Sequence, residues 1–144
     1  MTPFRATALA CGVALVALVA FAAAVNARTV TFDRGGNAYD RFVKLLANWG
    51  EEVRVVGFCA SACTFYIALP NVCTATVAKW LFHGPKGGGA KDEATWVNIM
   101  AALYPEPIRT AFLTDYQFRE VILSGAELIR VGAIKECSPK DLDR

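Results

Sequence analysis

Val53-Arg54-Val55-Val56-Gly57-Phe58-Cys59-Ala60-Ser61-Ala62-Cys63-Thr64 is the stretch on which the fold turns. From Val53 to Phe58 it is mostly apolar with no clean alternation, the pattern of a strand buried on both faces of a sheet. Such strands are covered by helices, which points to parallel strands joined by crossover helices. At Cys59 the composition changes to small residues, and Phe65-Tyr66-Ile67-Ala68-Leu69 follows. A helix over Ala62 to Leu69, closed by Pro70-Asn71, is expected there. Ser61 thus falls at a strand-to-helix junction.

Outward from this stretch, strand and helix signals alternate with short connections. Upstream, Thr29-Val30-Thr31-Phe32 is β-branched and aromatic and ends at Asp33-Arg34-Gly35-Gly36, where paired glycines permit a sharp turn. Asn37 offers an N-cap with Asp40 in the first turn, and Tyr39, Phe42, Val43 and Leu46 form the expected inner face of a helix stopped by Gly50. Downstream, Ala75 to Phe82 reads as a third strand with His83 at its C-terminal end, followed by the loop Gly84-Pro85-Lys86-Gly87-Gly88-Gly89. Two helices are expected over Glu93 to Tyr104 and Glu106 to Tyr116, separated by Pro105 and Pro107. Ser124 and Glu127 make a capping box for a last short helix ended by Gly132, and Ala133 to Cys137 reads as the final strand. Trp49, Trp80 and Trp96 read as core or interface residues.

In open parallel sheets, functional residues gather beyond the carboxyl ends of the strands. The Gly35-Gly36 turn, Ser61 and His83 each fall just past the end of an expected strand, so one rule places all three on one edge. A serine hydroxyl is a weak nucleophile until a neighbouring base takes its proton, and His83 is the single histidine of the chain. Taken one at a time, each has an ordinary role: Ser61 as an N-cap, His83 as a half-buried ring beside Trp80 and Phe82, the glycines as a turn. The shared edge is what points to chemistry.

The chain has 144 residues, enough for one domain. Residues 1–27 read as a secretory signal peptide: Arg5 is the positive flank, Ala8 to Ala24 a nearly unbroken apolar run, and Val25-Asn26-Ala27 a small-residue cleavage site. An N-terminal membrane anchor is the alternative, since the run approaches the ~20 residues of a spanning helix. The single domain then covers residues 28–144. Formal net charge is +2, and the leader holds one base and no acid, so the remainder is nearly balanced, without a nucleic-acid footprint. Cys59, Cys63, Cys73 and Cys137 lie outside the leader, an even number in a chain addressed to an oxidising compartment. Two disulfides are the default among three connectivities. Cys73 stands at the far end of the expected helix from Cys63, which favours Cys59–Cys63 with Cys73–Cys137. A metal site would need a set such as Cys59, Cys63, Cys73 and His83, and no second ligand-spacing motif supports one; neither metal nor cofactor is expected.

Asp33-Arg34-Gly35-Gly36, a helix, a strand ending in Ser61, a strand ending in His83, then Leu123-Ser124-Gly125-Ala126-Glu127 and Val131-Gly132-Ala133-Ile134 resemble, in order and spacing, the Clp-type serine peptidases of the ClpP/crotonase superfamily. The Cys-x-Ser-x-Cys signature around Ser61 is similar to that of secreted bacterial members, and the likeness spans residues 29 to 137. The resemblance implies an α/β, layered βαβ fold with a mainly parallel sheet, in shortened form. It implies Ser61 as nucleophile, His83 as general base and then acid, and an oxyanion site made by the backbone N–H groups of Ala62 and of the Gly35-Gly36 turn. It also implies an acidic third member shortly before Leu123. Asp115 is the candidate, with Glu120 and a bare Ser-His dyad open. The implied function is a secreted or periplasmic serine hydrolase acting on peptide or protein substrates.

Other positions depart from that pattern. Asp33-Arg34 replaces the usual Ser-Pro before the glycines, and the N-terminal strands and most of the arm that stacks rings in cytoplasmic peptidases are missing. A non-catalytic binding or assembly module with the same fold is therefore the competing expectation. Oligomeric state is open, and membrane association is tied to an uncleaved leader. Cys63 with His83 is an alternative nucleophile, though a free thiol in an oxidising compartment is prone to capture. Pocket walls are expected from the Gly84 to Lys91 loop.

Overall fold

The computed structural model describes residues 27–142. The leader expected over residues 1–27 therefore lies outside the described residues, apart from Ala27. Among the described residues no helix is long and apolar enough to cross a membrane.

The chain runs β1 (Arg28–Asp33), α1 (Ala38–Ala47), β2 (Val53–Ala60), a 3₁₀ helix (Ser61–Ala68), β3 (Val72–Thr74) and β4 (Lys79–Phe82). It continues through α2 (Ala90–Leu103), α3 (Ile108–Ala111) with a π turn (Phe112–Tyr116), β5 (Val121–Ser124), α4 (Gly125–Arg130), β6 (Lys135–Glu136) and α5 (Pro139–Leu142). Among the described residues this is a mixed α/β fold on a six-stranded, mostly parallel sheet. β2 is its spine. Val53, Arg54 and Val55 are buried in succession, so both faces are covered, as the mostly apolar run without alternation requires. The buried Arg54 guanidinium keeps a partner in Glu52 Oε1 at 2.9 Å.

β1 pairs in parallel along one edge of β2, with an irregularity between Val30 and Phe32. Two strands share the other edge: β3 lies beside Val53 to Val55, and β4 beside Phe58 to Ala60. β6 extends the sheet beyond β3 in parallel, and β5 beyond β4 antiparallel. The expected single strand over Ala75 to Phe82 is thus two strands. Ala78 N–H returns to Ala75 O at 3.1 Å and closes a turn that exposes Val77, which shifts the chain along β2 from β3 to β4. β5 was not expected from the sequence, and the last strand is only Lys135–Glu136 rather than Ala133 to Cys137.

The helices show similar adjustments. Asn37 Oδ1 accepts from Asp40 N–H at 3.1 Å, and Ser124 with Glu127 forms both arms of the capping box, as expected. The inner face of α1 is different. Of the expected face Phe42 packs inward, but Tyr39, Val43 and Leu46 are exposed, and the helix packs through Ala38, Phe42 and Leu45. That i, i+4, i+7 stripe is rotated by about one residue, or 100°, from the expected one. The helix expected over Ala62 to Leu69 is a 3₁₀ helix opened by Ser61, and the one over Glu106 to Tyr116 passes from α3 into the π turn. The core is aromatic: Tyr104 lies edge-on to both Phe82 and Phe112, at 5.4 and 5.0 Å between ring centroids.

The four cysteines among the described residues pair as Cys59–Cys63 and Cys73–Cys137. The second disulfide ties β3 to the chain just after β6 across a separation of 64 residues. Opening a loop of that length by Cys73→Ala with Cys137→Ala is expected to cost about 4 kcal/mol. Chemical denaturation of the oxidised protein and the double variant measures it directly; equal midpoints with equal slopes would refute it.

Candidate active site

β2 ends with Ala60 in extended backbone, and the next residue, Ser61, has φ +57°. Among the described residues it is the one non-glycine in the left-handed region, where a β-carbon is crowded by the following carbonyl. The surroundings hold this conformation from several directions. The Cys59–Cys63 disulfide brackets the serine. Thr64 Oγ1 donates to Ser61 O at 2.6 Å. That uses the only hydroxyl hydrogen of Thr64, so in the 2.8 Å contact between Thr64 Oγ1 and the Tyr104 hydroxyl it is Tyr104 that donates. Burial keeps Tyr104 protonated by pushing its pKa well above the usual range, against a smaller lowering by Thr64. Hydrogen bonds running from Tyr104, at the C-terminal cap of α2, through the buried Thr64 therefore fix the carbonyl of the strained residue.

The turn after β1 packs directly on this elbow. Gly35 has φ +89°, and a β-carbon there would lie 2.5 Å from Ala60 O and 2.6 Å from Ala62 N. Both counts demand glycine. Its N–H is spent on Asp33 Oδ1 at 2.7 Å, so of the two glycines expected to serve an oxyanion it is Gly36, on the wall of the adjoining cavity, that offers a donor. Ala62 lines the same cavity as the residue after Ser61.

That cavity holds about 410 Å³. It brings together Ser61, Ala62, Gly36 and His83, which arrive from three different strand ends. Phe65 and Met100 form an apolar floor, and Trp96 stands on the wall rather than wholly in the core. The loop from Gly84 to Gly88 supplies another wall, as expected from its composition. The side chains of Ser61 and His83 share the space without a direct hydrogen bond. His83 Nδ1 lies 2.5 Å from Gly84 O. A carbonyl only accepts, so Nδ1 carries a hydrogen, and in the neutral ring Nε2 is the acceptor. Gly84 is itself pinned, since a β-carbon would overlap the carbonyl of Gln117 just after the π turn.

The expected acids stand elsewhere. Asp115, on the π turn, is not on the cavity wall; its carboxylate is gripped by the Arg119 guanidinium, with Nε–Oδ1 at 2.6 Å and a second contact from Nη2 to Oδ2. That hydrogen-bonded charge holds the Asp115 carboxyl below its usual range. Glu120 pairs with the rim residue Lys86 at 3.4 Å. The carboxylates that line the cavity are Asp92 and Glu93, in the first turn of α2, where Glu93 Oε1 accepts from Gly87 N–H at 3.2 Å. The sequence carried one signal for them, their place directly behind the glycine loop. With Cys63 in a disulfide, the thiol alternative to Ser61 has no free sulfur.

No protein-family model matches the chain, and no curated protein matches it.

Proposed function

We propose that the chain is a serine hydrolase of the Clp-peptidase type within the ClpP/crotonase superfamily, acting on peptide or protein substrates in the periplasm or outside the cell. The observation that carries this reading is Ser61 at φ +57°, facing a cavity shared with His83, Gly36 and Ala62. A strained nucleophile at a strand end is the kind of outlier that marks function. Ser61 Oγ would attack a carbonyl carbon while His83 Nε2 takes its proton. The oxygen charge that develops would fall to the N–H groups of Gly36 and Ala62, and His83 would return the proton to the leaving group. Water, activated by the same base, then releases the acyl group. The two disulfides are compatible with an oxidising compartment.

The non-catalytic reading draws on one observation, the turning of Asp115 to Arg119 rather than to His83. A fluorophosphonate probe followed by peptide mapping separates the two. Covalent labelling at Ser61, lost in Ser61→Ala, supports the hydrolase; folded, oxidised protein that stays unlabelled through prolonged incubation refutes it.

A further inference from the structure

We infer that Arg41 is a positioning residue: with Asp33 it orients the Gly35–Gly36 peptide, and hence the Gly36 N–H, against the Ser61 elbow. The inference deepens the hydrolase reading and rests on it. Arg41, from the second turn of α1, donates through Nη2 to Gly35 O at 2.9 Å and to Asp33 Oδ1 at 2.9 Å. Its Nη1 lies 2.9 Å from Asp33 Oδ2 and donates to the Tyr66 hydroxyl at 2.8 Å. Asp33 Oδ1 in turn accepts the Gly35 N–H at 2.7 Å. One ion pair thus holds both polar backbone groups of Gly35. Across a planar trans peptide, the carbonyl of one residue and the N–H of the next point in opposite directions. Gripping Gly35 O on the α1 side therefore turns the Gly36 N–H away from it.

The pair also solves a problem set by the two glycines. Both have positive φ, +89° and +77°, and a glycine pair restrains itself poorly. Nothing rigid precedes them in Asp33-Arg34. The Asp33–Arg41 pair, with both side chains about one-fifth exposed, supplies the restraint that the covalent chain lacks. It extends to the nucleophile as well. Tyr66 belongs to the 3₁₀ helix that Ser61 opens, and the Arg41 guanidinium carbon sits 5.4 Å from the centre of its ring. Arg41 accordingly ties the donor side of the site to the nucleophile side. Only a planar fork reaches Asp33, Gly35 O and Tyr66 together; an ammonium group is a point donor.

The test is the kinetics of fluorophosphonate labelling at Ser61 in wild type, Arg41→Lys, Arg41→Ala and the neighbouring control Arg34→Ala. Arg41→Lys is expected to lower kinact by about 10²-fold with KI unchanged and the melting temperature near that of wild type. Arg34→Ala should label at the wild-type rate. Added guanidinium ion, below denaturing concentration, should restore part of the rate to Arg41→Ala and none to Ser61→Ala. Arg41→Lys keeps charge and bulk, so it remains measurable if the alanine variant fails to fold. A labelled wild type with an unaltered Arg41→Lys rate, or a loss in Arg41→Lys that follows KI or melting temperature alone, overturns the clamp and leaves the hydrolase reading standing. A wild type that never labels overturns both.

Discussion

Replacing His83 with alanine is expected to slow modification of Ser61 by a fluorophosphonate by about 10²–10⁴-fold, the usual worth of a positioned general base. The ring is half-buried on the cavity wall, so its removal takes little from the core, and the melting temperature should move little. What makes the expectation specific is the orientation of the ring. Nδ1–H donates to Gly84 O, so in the neutral ring Nε2 is the accepting nitrogen, with no carboxylate involved. Gly84 O is held in place because Gly84 packs on the Gln117 carbonyl. On the proposed hydrolase reading, a backbone carbonyl would do the orienting work that an acid does in a triad. Asp115→Asn should then leave the labelling rate unaltered, since the carboxylate it removes is engaged by Arg119 on the exposed side of the π turn. Equal falls in His83→Ala and Asp115→Asn would refute the dyad and show that Asp115 reaches the histidine when the site is occupied.

The parts of the site legible from sequence were those set by strand ends. β2 announced itself because, Arg54 apart, its run is apolar without alternation, the mark of a strand covered on both faces, and the rule that functional residues collect at carboxyl ends then carried Ser61, His83 and the glycine turn to one cavity. Caps were legible for a related reason: Asn37 and Ser124 act within one turn of chain, where spacing alone fixes geometry. The failures have equally local causes. Residues 38, 42 and 45 and residues 39, 43 and 46 of α1 are both largely apolar stripes, so periodicity could not choose which faced inward. The turn between β3 and β4 is Ala75-Thr76-Val77-Ala78, with none of the residues that usually mark turns. β5 is four residues long and exists only because β4 offers it an antiparallel partner. For the acid, a slip of one residue turns a helical side chain by about 100°, and Gln117, not Asp115, is what the π turn brings to Gly84. Asp33 read as a departure from a family pattern, yet its carboxylate caps the Gly35 N–H two residues on, a role a short acidic side chain performs well.

Gly35→Ala is expected to be far more damaging than Gly36→Ala, although both glycines have positive φ and sit side by side. At Gly36 a β-carbon would meet nothing within 4 Å, so the cost is the backbone penalty alone, about 1–2 kcal/mol. At Gly35 the same penalty is joined by contacts of 2.5 Å with Ala60 O, 2.6 Å with Ala62 N and 2.9 Å with the Ser61 β-carbon. None of these neighbours is the end of a flexible side chain; all belong to the elbow itself, which the Cys59–Cys63 disulfide and the Thr64–Tyr104 hydrogen bonds prevent from moving aside. The turn must therefore back away, and with it goes the Gly36 N–H. Labelling at Ser61 should fall by about 10²–10³-fold, the loss of one oxyanion donor, with a lower denaturation midpoint. Gly36→Ala keeps its N–H in place and should retain most of the rate. Parallel measurement of denaturant midpoints and labelling rates in the two variants decides the matter. Equal effects would mean that the turn is not held against the elbow. A Gly35→Ala protein that is destabilised yet labels at full rate would place the second oxyanion donor somewhere other than Gly36.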